Sequence, residues 1–171
     1  TGFISLVYPL VTGGILPKDY PVSSFAISGY SGAGKKTIAV YECAERPKEL
    51  SSGREYALTQ QHKHLKEMQK ITGLARTPLF SPIIDDYYSG MVVSVQLYAE
   101  LLAKKETPES LLQYYADYYK DKRFIRVSAA DDETAASGFL AGNGLSGWDG
   151  LKIYVTVNTE RIVVSSQFDN L

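Results

Sequence analysis

The chain has 171 residues, 44% hydrophobic and 22% charged, with a formal net charge of −1. That length suits a single domain with a full core, and the balanced charge excludes a global field that would draw it to nucleic acid or a membrane surface. One cysteine, Cys43, excludes an internal disulfide, and no apolar run reaches the ~20 residues a bilayer span needs, so a cytoplasmic protein is expected.

Gly2 to Thr12 carries Phe3, Leu6, Val7 and Leu10 at helical spacing and reads as a largely buried helix stopped by Gly13-Gly14. After a loop from Pro17 to Pro21, the apolar stretch Val22 to Ser28 reads as a strand. A glycine-rich turn follows, and then a helix over Thr37 to Glu45 that Pro47 stops. Glu55 to Thr59 reads as a short strand. His62 to Thr72 reads as a helix with Leu65, Met68 and Ile71 on one face and Gly73 as its stop. Phe80 to Ile84 is a short strand, and Met91 to Leu101 a long one with Val93, Val95, Leu97 and Ala99 on one side.

Thr107-Pro108 begins a helix running to about Lys120, with Thr107 as its cap; Ser110 stands where a capping box would want Glu or Gln. Four of the chain's 13 tyrosines, Tyr114, Tyr115, Tyr118 and Tyr119, lie on it and argue for a contact face as well as core packing. Phe124 to Val127 is a strand, and Ala129 to Gly147 a long loop. Leu151 to Val157 and Arg161 to Phe168 form a hairpin through Asn158-Thr159-Glu160. Strands and helices mix without β–α–β repetition, so the expected fold is α+β, a mixed, largely antiparallel sheet with helices on one face.

Two stretches carry chemistry. Ser28-Gly29-Tyr30-Ser31-Gly32-Ala33-Gly34-Lys35-Lys36 runs from a strand into a turn with three glycines and two lysines. Glycine lets backbone N–H groups approach an oxyanion, and the lysines add charge. The pattern comes within one residue of a phosphate-binding P-loop, G-x-x-x-x-G-K-[ST], but Lys36 stands where a hydroxyl must reach Mg²⁺. A nucleotide-binding phosphotransferase is therefore a secondary reading, and a ligand-free tight turn a plainer one. His62 and His64 are the only histidines. They diverge on a helix and share a face in an extended segment, and one as a general acid/base suits neutral pH better than a zinc site does. No metal is expected. Cys43, beside Glu42 in the predicted helix, reads as packing rather than as a nucleophile. Asp85-Asp86 and Asp131-Asp132-Glu133 read as solvated carboxylates.

Both ends of the chain begin or stop abruptly at apolar segments, which reads as a domain cut from a longer protein. The residues Ser28 to Lys36, Tyr56, His62-x-His64, Gly90-Met91 and Phe168-Asp169-Asn170-Leu171 together resemble the N-acetyl-γ-glutamyl-phosphate reductases of arginine biosynthesis. Their markers are a Ser-Gly-x-Ser-Gly-Ala-Gly-[Arg/Lys] loop and a Tyr-x5-His-Arg-His-x-x-Glu segment. Here Lys63 replaces the arginine, and Glu67 falls at the glutamate.

The resemblance implies an NADPH-dependent reduction of N-acetyl-glutamyl 5-phosphate to the 5-semialdehyde plus phosphate through a cysteine thioester. It further implies a fold like the C-terminal domain of glyceraldehyde-3-phosphate dehydrogenase. Residues 1–171 would be the substrate-binding and dimerisation domain, with the nucleophile three positions before Thr1. NADP would be bound mainly by a Rossmann domain outside this chain, which alone would be inactive. His62 would be the acid/base. Ser31, Gly32, Gly34, Lys35, Tyr56 and His64 would hold the acyl-phosphate substrate, and phosphate would be the leaving group. The protein would be a dimer or tetramer, pairing through the Met91–Leu101, Leu151–Val157 and Arg161–Phe168 strands, with no nucleic-acid or membrane partner. A non-catalytic interaction domain remains the other alternative.

Overall fold

A computed structural model describes residues 1–128, 132–158 and 160–171. Its centre is a seven-stranded sheet ordered β2-β3-β1-β4-β7-β6-β5. The strands are β1 (Ser23–Gly29), β2 (Arg54–Glu55), β3 (Leu79–Asp85), β4 (Met91–Tyr98), β5 (Ile125–Val127), β6 (Leu151–Val157) and β7 (Arg161–Phe168). Two pairs, β1–β3 and β5–β6, are parallel, and the other four are antiparallel. The helices are α1 (Gly2–Thr12), α2 (Lys35–Tyr41), α3 (Leu65–Thr72), α4 (Pro108–Tyr119) and the short α5 (Glu133–Ala136). The expected α+β class, with a mixed and largely antiparallel sheet, is the fold observed.

The two faces of the sheet differ. Ala26, Val93, Val95, Leu97, Ile153, Ile162 and Val164 point to one side, where α1, α3 and α4 pack over them and form the core. Helix α1 lies deepest, with Leu6, Val7 and Leu10 fully buried. It can come that close because it begins with glycine: a Cβ on Gly2 would stand 2.6 Å from Phe168 and 2.9 Å from Val93. Its end is set by Gly14, at φ +66°, rather than by Gly13.

Pro9 lies inside α1 and cannot donate to the carbonyl of Ser5, the partner a helix would give it. A tyrosine of α4 supplies the missing donor: Tyr119 Oη donates to Ser5 O at 2.7 Å. Tyr115 donates to Leu6 O and Tyr114 to Pro9 O, both at 2.6 Å. The α4 tyrosines are thus chiefly internal braces, and only Tyr118 shows an exposed ring. The start of α4 is closed more tightly than its sequence indicated. Thr107 Oγ1 accepts from Ser110 N, and Ser110 Oγ, in place of the usual carboxylate, accepts from Thr107 N.

On the other side of the sheet, Phe25, Ile27, Ile83 and Val163 are half-buried, and Leu79 and Tyr98 exposed. Part of this face is covered by the chain itself. Lys152 pairs with Asp132, and Gln167 donates to Ala141 O at 2.7 Å. Residues Ala129, Ala130, Asp131 and Thr159, which fall in the predicted long loop, acidic run and hairpin turn, lie outside the described residues. Among the described residues no helix is long and apolar enough to cross a membrane.

Several sequence readings are corrected. Helix α2 spans Lys35 to Tyr41, starting as soon as Gly34 releases the chain, and so stops before Glu45. Cys43 lies beyond it and is exposed rather than packed. The strand expected over Glu55 to Thr59 ends at Glu55. Ala57 turns the chain with φ +52°, and Gln60 then completes the β3 edge with its side chain, exchanging two hydrogen bonds with Phe80 at 2.9 and 3.0 Å. Helix α3 starts at Leu65, so both histidines precede it. Strand β4 ends at Tyr98 and gives way to a 3₁₀ turn over Ala99–Leu101. Asp86 is not merely solvated: both its carboxylate oxygens bind Arg46, at 2.5 and 2.6 Å.

Candidate active site

A cleft of about 710 Å³ opens on the core side of the sheet. Its floor is the first turn of α1 (Thr1 to Ser5) and the ends of β4 and β7, and its walls are α3 and the Gly147–Leu151 segment. Apolar walls from Phe3, Met68, Phe80, Phe124 and Phe168 surround a polar group of His64, Glu67, Asp149, Asp169 and Asn170. Helix α1 aims its N-terminus, the positive end of its dipole, into this space.

His64 and Glu67 stand three residues apart at the start of α3 and both line the cleft. His62 does not; it sits behind them. Its ring meets the edge of Phe80 at 5.3 Å and lies 5.7 Å from the Tyr56 ring and 4.9 Å from that of His64. Its Nδ1 accepts from His64 N at 3.2 Å, which fixes the imidazole against the backbone that carries its neighbour. Burial lowers the His62 pKa, and His64 and then Lys63 add to the shift, so the ring is neutral and able to take a proton at pH 7. Tyr56 leads into a segment with two non-glycine residues at positive φ, Ala57 (+52°) and Gln60 (+55°), and such backbone strain concentrates at functional sites.

The glycine turn stands at the far side of Asn170. Its residues Tyr30 to Ala33 form one 3₁₀ turn, and Gly34 then takes φ +84°, ψ 157°, a region glycine alone enters without strain. Gly29 serves packing: its absent Cβ leaves room for the Tyr87 and Tyr88 backbone. Tyr30 N and Ser31 N donate to the carbonyls of Tyr87 and Tyr88, both at 2.9 Å, so neither is open to an anion. Gly32, Gly34 and Lys35 are exposed there. Ser31 itself donates its hydroxyl to Asn170 Oδ1 at 3.2 Å.

The end of β7 therefore joins the two sequence motifs. Asn170 lines the cleft that His64 also lines, and its amide reaches back to the glycine turn. Its neighbour Asp169 accepts from the N–H groups of Gly147 and Leu171 and from Ser89. Burial would raise the Asp169 pKa, but these hydrogen bonds together outweigh it and lower the pKa. Sequence reasoning assigned no role to Glu67, Asp149, Asp169 or Asn170. Glu67, Asp169 and Asn170 stood among the residues that carry the resemblance but without a role, and Asp149 is visible only from topology. The P-loop reading finds no support, since β1 feeds a 3₁₀ turn and a seven-residue helix, flanked by an antiparallel strand.

Known proteins match along the whole chain. Residues 1–170 match the family described as semialdehyde dehydrogenase, dimerisation domain. The N-acetyl-gamma-glutamyl-phosphate reductase of Burkholderia cenocepacia is 37% identical over 173 residues, covering 100% of this chain and 55% of the relative. That of Allorhizobium ampelinum is 38% identical over 174 residues, covering 100% and 56%. The chain thus spans about half the length of the curated relatives it matches. Among solved structures, aspartate semialdehyde dehydrogenase from Francisella tularensis superposes with a TM-score of 0.68 at 13% identity, over 97% of this chain and 56% of the other. A probable aspartate-semialdehyde dehydrogenase from Pseudomonas aeruginosa gives 0.64 at 16% identity, over 98% and 55%. At those identities the likeness is one of fold.

Proposed function

The chain belongs to the semialdehyde dehydrogenase dimerisation-domain family, and on that premise we propose that it is the substrate-binding and dimerisation half of a longer N-acetyl-γ-glutamyl-phosphate reductase. The reaction is reduction of an acyl phosphate, N-acetyl-glutamyl 5-phosphate, to the semialdehyde with release of phosphate. The observation that carries this reading is the link between the two motifs: His64 lines the cleft, and Asn170, which lines it too, is hydrogen-bonded to Ser31 of the glycine turn.

The chain's own residues divide the work. The glycine turn with Ser31 takes the phosphoryl oxygens, and the ammonium of Lys35 is the charge partner. One histidine moves the proton. The motif match gives the acid/base role to His62, which burial keeps neutral, while His64 and Tyr56 hold substrate beside it.

A hydride donor of the NADPH class supplies the reducing equivalents in this reading. The residues here do not fit a dinucleotide. Among the described residues, the glycine-rich strand–helix junction contains a 3₁₀ turn and lies in a mixed sheet, so the cofactor is assigned to another part of the full-length protein. The exposed end of the sheet's second face, where Leu79, Tyr98 and Arg161 lie on β3 and on the expected contact strands β4 and β7, is proposed as part of the contact for a second copy. The assignment of His62 is tested in the full-length protein. His62→Asn is expected to lower turnover by about 10²–10⁴-fold, as loss of a general acid/base does. Turnover near that of wild type would remove its role.

A further inference from the structure

We propose that Asn170 is a positioning residue that sets the glycine turn against the cleft, so that the turn and the end of β7 move as one unit. This rests on the reading of that turn as the phosphate site. Three hydrogen bonds define the arrangement. Asn170 Oδ1 accepts from Gly90 N at 2.7 Å and from Ser31 Oγ at 3.2 Å, and Nδ2 donates to Gly29 O at 3.3 Å. A carboxamide alone offers a donor and a two-lone-pair acceptor in one planar group, so neither Asp nor Leu reproduces the set. The contact is also close sterically, since a Cβ on Gly32 would lie 3.2 Å from Nδ2.

The surroundings make the amide a junction rather than one contact among many. Gly90, which it binds, accepts from Gly29 N at 2.9 Å, so the amide bridges the start of the turn and the start of β4. Ser31, whose side chain the sequence offered to the substrate, spends its hydroxyl proton on this junction. Ser31 therefore acts through Asn170, and the phosphoryl group is left to the rest of the turn and Lys35. One consequence is specific: removing Ser31 Oγ and removing the Asn170 amide damage the same thing, so their effects on anion binding do not add.

The experiment titrates the full-length protein with inorganic phosphate by calorimetry, for wild type, Ser31→Ala, Asn170→Ala and the double variant, with Tm measured on each. Each single change is expected to weaken phosphate binding, Asn170→Ala by about tenfold as for one or two lost hydrogen bonds. The double variant is expected to bind no more weakly than Asn170→Ala. A purely structural role would lower Tm and leave phosphate affinity unchanged, which overturns the proposal, as do additive losses or a wild-type protein that binds no phosphate. Should Asn170→Ala fail to fold, Ser31→Ala and Gly32→Ala, which disturb the same contact from the turn, decide by the same criterion. Activity is assayed alongside on the semialdehyde. An inactive wild type with the predicted phosphate pattern refutes the reductase reading alone, and an active enzyme with unaltered phosphate binding refutes this inference alone.

Discussion

Replacing Tyr119 with Phe removes one oxygen and leaves the packing unchanged. That oxygen donates to Ser5 O, the carbonyl deprived of its helical partner by Pro9, in a region where Tyr119 and Ser5 are each 8% exposed. With no water at hand, the carbonyl is left unpaired, which costs about 1–3 kcal/mol. In a chain of this size each kcal/mol lowers Tm by about 2–4 °C. Tyr115→Phe should cost less, near 1 kcal/mol, because Leu6 O keeps its bond within the helix. Tyr118→Phe, on an exposed ring, should be close to neutral. Urea denaturation of the three variants gives the series. The decisive comparison repeats Tyr119→Phe in a Pro9→Ala background, where an alanine N–H serves Ser5 O instead. There the cost of losing the phenol should shrink by more than half. An equal cost in both backgrounds would refute the argument that the tyrosine replaces the bond proline withholds.

Other predictions follow from single contacts. Gly2→Ala forces a methyl to within 2.6 Å of Phe168 and should cost about 1–3 kcal/mol by overpacking, visible as a lowered Tm. The Asp86 carboxyl is held below its usual pKa by its hydrogen bonds to Arg46, so its contribution is present above the unfolded value of about 3.9 and lost as pH falls below it. Wild type and Asp86→Asn should therefore differ in urea midpoint at pH 7, and the difference should shrink as pH is lowered below about 3.9 towards the depressed folded pKa. His62 should titrate below about 6.5 in an NMR pH series, and stability should fall as acid protonates it, since the folded state favours its neutral form. Val163→Lys, on that second sheet face, should shift the protein towards monomer in sedimentation velocity. An unchanged dimer would place the subunit contact elsewhere.

The sheet was legible because its strands carry strong local signals: β6 and β7 appear at the bounds their alternation and turn residues indicate. What failed was local pattern overruled by tertiary contact. The segment after Glu55 has strand composition, but the Gln60 side chain takes the edge positions that further strand residues would have filled. The tyrosine pairs of α4 looked like a binding surface because no local rule announces that a proline in another helix leaves a carbonyl to be satisfied. At the site, the glycine turn and the histidine pair were visible as motifs. Asn170 was visible only within the closing Phe168-Asp169-Asn170-Leu171 marker and its role was not, since that depends on bonds to Ser31 and Gly29, some 140 residues away.

The most direct test of the account is an assay of the full-length protein for phosphate-dependent oxidation of N-acetylglutamate semialdehyde with NADP⁺, beside His62→Asn and His64→Asn. Activity that requires phosphate and is lost by orders of magnitude in His62→Asn is the predicted result. Activity on a related semialdehyde alone would keep the chemistry and change the substrate. No phosphate-dependent oxidation of any semialdehyde would contradict the assignment of this cleft to acyl-phosphate reduction.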